Sequence, residues 1–226
     1  MIETLASSPF FGLFLTCAAW CLGKWVQKKT GVALLNPLIV AAAFILLVLI
    51  VFRIPYSSYA AGGSLISLML SPVTAVLALN IYNQRKLLGA YFVPVLAGCL
   101  AGCLTSMGSI ALLCRLMAVD SVITASLLPK SVTTAIAVAV AESAGGLQSV
   151  TVAAVLVAGS IGAIFAPLFA KLFHVTDPVA EGVAIGACSH ALGTTKALEI
   201  GQLQGAMSSI AICVCGIMTS VLALFL

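Results

Sequence analysis

The chain has 226 residues, 62% of them hydrophobic and only 7% charged, with a formal net charge of +4. A soluble domain is about one-quarter charged residues, so a mean hydropathy of +1.25 excludes one and points to an integral membrane protein. The apolar runs are about 20 residues long and do not alternate, which predicts a helical bundle and not a barrel. The basic residues are scattered over short loops, a topology signal that gives no footprint for nucleic acid.

The first span is expected over 10–22, retained rather than cleaved, because Glu3 and no basic region precedes it. Trp20 and Trp25 anchor its end beside Lys24, Lys28 and Lys29. Span two, 32–52, is a plain Ile, Leu and Val scaffold closed by Arg53-Ile54-Pro55-Tyr56. Span three, 61–82, contains Ser71-Pro72-Val73-Thr74; Pro72 interrupts the helix and frees carbonyls that need partners, or simply kinks it. Arg85 and Lys86 follow. Span four, 88–113, spaces Gly98 and Gly102 by four, with Cys99 and Cys103 alongside, which allows close helix approach. A later span, 150–169, carries Gly159 and Gly162 and is expected to stop at Pro167; the last covers 206–226.

Between span four and the span over 150–169 lies Leu127-Leu128-Pro129-Lys130-Ser131-Val132-Thr133-Thr134. A lysine in lipid-compatible sequence must face protein, water or a counter-ion. Pro129 biases Leu128 away from helix, so a helix is expected to start near Lys130 with free N–H groups in its first turn. Those groups, the ammonium and the hydroxyls of Ser131, Thr133 and Thr134 would converge as an anion site. The plainer reading is a surface loop with a snorkelling lysine. The stretch 71–79 can be laid on 130–138, with Val and Thr in register, and paired interrupted helices point to a transporter's binding site, with Pro72 and Thr74 as the mates of Lys130. If 119–142 is re-entrant the repeats are inverted; if it crosses once they are parallel; the sequence leaves both open.

The segment 181–201 is short, polar and glycine-interrupted. His190, Thr194, Thr195 and Lys196 form its polar cluster, and an imidazole there suits proton relay. Gly193 is expected to end one half-helix and Thr194 to cap the next. Glu142 and Glu199 stand near helix ends, as solvated residues or as carriers of a coupling proton. The eight cysteines include no Cys-x-x-Cys and read as packing residues; His174 and His190 share no metal-ligand spacing. Neither metal, cofactor nor enzymatic activity is expected.

At 128–134, and again at Ala184-Ile185-Gly186-Ala187-Cys188-Ser189-His190-Ala191-Leu192-Gly193-Thr194-Thr195-Lys196-Ala197, the chain resembles the LrgB/CidB/YohK family over nearly its whole length. Ser71-Pro72 departs from the family's glycine-proline version of that segment. The resemblance implies a bacterial inner-membrane, multi-pass, antiholin-like protein or murein hydrolase regulator, with a small membrane partner of the LrgA/CidA type. It also implies kinship with a plant plastidal relative that looks like a glycolate and glycerate transporter, and bacterial members are linked in the same way to pyruvate-like acids.

The expected fold is an all-α integral membrane protein: a polytopic bundle of about seven to eight membrane segments with broken or re-entrant helices and an internal repeat. It would be one LrgB-like domain, with scaffold spans over 1–60, repeat one over 61–118 and repeat two over 119–226. The expected function is secondary transport of a small monocarboxylate, proton-coupled through His190, Glu142 or Glu199. Lys130, Ser131, Thr133, Thr134, Pro72, Thr74, His190, Thr194, Thr195 and Lys196 would form the binding set. The alternative is a holin- or antiholin-like regulator of membrane permeability. A homodimer in the bilayer is expected on precedent among transporters that work by moving a barrier.

Overall fold

In lipid every backbone polar group must be satisfied within its own segment, so long apolar runs become helices. The computed structural model describes residues 8–31, 37–69, 72, 75–76, 79 and 82–225, and among them there are ten helices and no strand. They are α1 Pro9–Thr30, α2 Pro37–Val51, α3 Tyr56–Ser67, α4 Arg85–Ala90, α5 Phe92–Leu116, α6 Ser121–Leu127, α7 Thr134–Ser143, α8 Gln148–Leu172, α9 Pro178–Ile200 and α10 Gln202–Ala223. Four of these, α1, α5, α8 and α10, are long and apolar enough to cross a membrane. The chain is therefore a membrane protein of helical class. Ser71 and Thr74 lie outside the described residues.

Two expected boundaries move. Span one is not short: α1 continues past Trp25 to Thr30 and stops where Gly31 turns left-handed at φ +66°. Nor does α8 stop at Pro167, which sits inside it five residues before its end. Neighbouring helices and local adjustment let membrane helices tolerate such a proline.

The chain divides into two compact units, 1–73 and 74–226. In the first, α1 packs on α2 and α3. Its core is Leu15, Ala19, Ala41, Ile45 and Leu49. Gly12 and Gly62 let α1 and α3 touch backbone to backbone, and Thr16 Oγ1 bonds the Tyr59 hydroxyl at 3.0 Å.

In the second unit, α5 and α10 run parallel. Cys99 Sγ reaches Ala211 O at 3.8 Å and Cys103 Sγ reaches Cys215 O at 3.7 Å, each pair 112 residues apart. Buried cysteines here do act as small packing residues, while Cys17, Cys21 and Cys188 are exposed.

Two helical hairpins complete this unit. In the first, Ser126 near the end of α6 accepts from Leu147 N at 2.7 Å through Oγ, and its carbonyl accepts from Thr151 Oγ1 at 3.0 Å. The chain thus leaves at 127, turns through 128–133, descends α7 and returns beside its own exit. The second hairpin is α9 itself, which reverses at His190 (φ 40°, ψ −139°). A Cβ on Gly193 would lie 3.2 Å from Ile185 O, eight residues back, which no straight helix permits. The half before His190 runs parallel to α10, with Gly182 on Gln204 and Gly186 on Ser208. The half after it runs antiparallel, with Thr194 on Ser208 and Leu198 on Gly205.

Candidate functional site

The turn after α6 is built by Pro129, yet not as the sequence predicts. Leu128 stays helical (φ −52°, ψ −49°), because a following proline disfavours that conformation without forbidding it. Lys130 N then bonds Leu127 O at 3.2 Å and Val132 N bonds Pro129 O at 3.3 Å. The next helix starts at Thr134, not Lys130, so Lys130 sits in the turn rather than in a first helical turn.

This tip lies against the middle of α5. The Lys130 amine donates to Ser106 Oγ at 3.1 Å and to Ser131 Oγ at 3.2 Å, and those two hydroxyls bond each other at 2.7 Å. Among the described residues no carboxylate pairs with this half-buried cation; the ion pair they contain is Lys196–Glu199. An ammonium has three donors, so two hydroxyls leave one for a guest. Lys130 also lines a cleft of about 810 Å³, with Leu127, Ser149, Val157, Gly162 and Cys188 among its walls.

Thr133 precedes α7 in extended conformation (φ −61°, ψ 147°) and is buried, but its hydroxyl makes no cap bond and has no partner among the described residues. An unmade buried hydrogen bond costs about 1–3 kcal/mol, so this orphan is an unexplained expense beside the free N–H groups that open α7. Thr134, half-buried, is the first residue of that helix.

The second tip carries His190, held where side-chain-bearing residues rarely go. Such a backbone costs about 1–3 kcal/mol and persists only where surroundings fix it. The surroundings are α8. The imidazole lies on Gly159, Ser189 lies on Gly162, and a Cβ at either glycine would collide with them. His190 Nε2 is 2.9 Å from Val155 O; a carbonyl only accepts, so Nε2 carries the proton and donates. Thr194 Oγ1 donates to His190 O at 3.0 Å and accepts from Ser208 Oγ at 2.7 Å. Thr194 therefore closes a turn instead of capping a new half-helix, and the reversal falls at His190 instead of Gly193.

The two tips meet. Pro129 and Ser131 of the first and Ala187 of the second, with Cys103, Ser106 and Thr219, enclose a void of only about 10 Å³. The remaining candidates stand elsewhere. Thr195 is exposed and bonds Ala191 O at 3.2 Å. Lys196 pairs with Glu199 at 2.9 Å, their side chains 35% and 62% exposed. Glu142 is exposed one residue before the end of α7. None of these four lines the cleft. Pro72 is helical and exposed in the first unit. Sequence reasoning missed Ser106, whose signal was a hydroxyl midway along an apolar span, and read Cys188 as packing although it faces the cleft.

A model of the LrgB-like family matches residues 16–226. The antiholin-like protein LrgB of Bacillus subtilis (strain 168) is 36% identical over 213 residues, covering 94% of this chain and 92% of the relative. The uncharacterized protein YxaC of the same organism is 35% identical over 92% of this chain and 90% of its own, and the antiholin-like protein LrgB of Bacillus mycoides (strain KBAB4) is 34% identical over 95% and 94%. No solved structure matches the chain. With nearly the whole length covered in both directions, the chain belongs to the LrgB-like family.

Proposed function

We propose that the protein carries a small monocarboxylate across the membrane, with Lys130 as the anion-binding residue. The observation that carries this reading is a half-buried ammonium at the tip of a broken helix, tied to two hydroxyls, unpaired with any described acid and open to a cleft. Burying a charge without a counter-ion is costly, and an anionic guest removes that cost. Ser106, Ser131 and the unpartnered Thr133 supply hydroxyls for substrate oxygens. The two hairpins, each followed by a long helix (α8, then α10), are read as inverted repeats entering from opposite faces of a bacterial inner membrane that the chain crosses several times. Such pairs surround the sites of many carriers. His190 is the proton-coupling candidate because it is buried at the second tip, whereas Glu142 and Glu199 are exposed near the ends of α7 and α9. An LrgA/CidA-type partner and a homodimer remain part of the proposal.

Reconstituted vesicles taking up labelled glycolate, glycerate or pyruvate test it. Lys130→Met should abolish uptake while the protein stays folded; undiminished uptake removes the site.

A second reading is favoured by a specific finding: relatives at about 35% identity bear the name antiholin-like. It makes this chain a non-enzymatic regulator of murein hydrolase export and membrane permeability. The names back it better than they back the carrier, which rests on geometry. Leakage of solutes without selectivity or saturation would favour the regulator; saturable uptake of one acid class would favour the carrier.

A further inference from the structure

We infer that His190 is the latch of a gate: it pins the second hairpin tip to α8, and its release parts the two tips and opens the space between them. The geometry gives the tip its principal side-chain fastening to α8 through the imidazole. Nε2 donates to Val155 O at 2.9 Å, in the first third of α8. The ring rests on Gly159, and Ser189 beside it rests on Gly162, so two bare stretches of backbone form a seat cut to the tip. The backbone at His190 is held at φ 40°, a conformation the surroundings must enforce, so loosening them lets the tip relax. Both residues are buried. On its other side Ala187 lines one small void with Pro129 of the first tip, Cys103, Ser106 and Ser131, the two serines being the hydroxyls that hold Lys130.

Val155 O cannot donate, and the bond uses Nε2–H, so a proton arriving on Nδ1 would leave the bond in place. His190 is therefore a positioning residue first, with proton relay a separate property. The inference concerns regulation of the proposed carboxylate site, but the latch itself is read from packing, and its test requires no transport.

Cys103 reports on the gate. It is buried, and it lines the void that parting tips would open. The purified full-length protein in detergent is treated with N-ethylmaleimide, and modification of the Cys103 peptide is followed by mass spectrometry. His190→Ala should speed that modification about fivefold, the population shift expected from losing one ordinary hydrogen bond. His190→Gln, which keeps a donor of similar reach, should restore most of the protection. Gly162→Ala, which unseats Ser189 with His190 intact, should also speed it. Buried Cys213, on α10, is the internal control for global unfolding and should keep its rate in all three. An unchanged Cys103 rate in His190→Ala, or equal acceleration in Ala and Gln variants, overturns the latch. Parallel acceleration of Cys213 also overturns it, by assigning His190 to general stability. Loss of uptake in Lys130→Met with an unaltered Cys103 rate leaves the two proposals independent.

Discussion

The two hairpin tips share a place and differ in kind. The first carries a cation whose partners among the described residues are hydroxyls, beside a threonine hydroxyl that finds no partner among them. The second carries an imidazole that is buried and bonded through Nε2 to α8, on a backbone held at φ 40°. One tip has unsatisfied hydroxyl and ammonium groups, and the other has committed its ring donor to α8. Unfilled hydrogen-bonding capacity is costly to keep and suits a ligand; strain held by surroundings suits a moving part.

The largest effect expected from that contrast is at Lys130. Lys130→Met should weaken carboxylate binding by about 3 kcal/mol, roughly 100-fold in Kd, the loss typical of truncating one member of a desolvated charge pair. Isothermal titration of the detergent-purified protein measures it. His190→Gln in the same titration should stay near the native affinity. Equal losses at both positions would erase the distinction between a binding tip and a holding one.

Next comes the support beneath the second tip. Gly186 packs on Ser208 O and Ala211 of α10, and a side chain there meets backbone rather than a yielding side-chain end. Gly186→Val should cost about 1–3 kcal/mol of stability, seen as a lower thermal midpoint. Gly108, with open space around its Cβ position, should accept Ala without loss. If Gly186→Val melts like the native protein, the first half of α9 is not held against α10 as described.

How much of this was legible beforehand follows the same division. Lys130 announced itself, because a charge in apolar sequence has few explanations. Pro129 announced a break, although the exact start of α7 depended on the turn bonds of 127–132, which no local propensity encodes. The reversal at His190 was unreadable. Local signals pointed to Gly193, the residue free to turn, whereas the chain reverses at a histidine because Gly159 and Gly162, some thirty residues earlier, leave room for it. Ser106 was hidden for a similar reason: its meaning comes from Lys130 and Ser131 reaching it across 24 and 25 residues. The match proposed between 71–79 and 130–138 falls largely outside the described residues. The repeat reading under the proposed function rests instead on two hairpins, each followed by a long helix, over 121–172 and 178–223.

A smaller effect belongs to Ser106. Its hydroxyl holds both the amine and Ser131, so Ser106→Ala removes one of two tethers while leaving the charge. About 1 kcal/mol, near fivefold in Kd, is the expected loss. Ser106→Thr, which keeps the hydroxyl, should recover most of it. A loss as large as that of Lys130→Met would mean the serine touches the ligand as the dominant contact.

The smallest effect is expected at Lys196, the other lysine of the candidate set. It bonds Glu199 one turn away at 2.9 Å, with about a third of its side chain exposed and the glutamate mostly so. Water and salt screen such pairs, and their removal costs at most a few tenths of a kcal/mol. Lys196→Met should therefore leave carboxylate affinity within about twofold of native. It should also leave the dependence of binding on ionic strength unchanged. Lys130→Met should flatten that dependence, because the charge that the anion meets has gone. A tenfold loss at Lys196, with a flattened salt response, would place a second cation in the binding step and make the second tip, too, a site for anions.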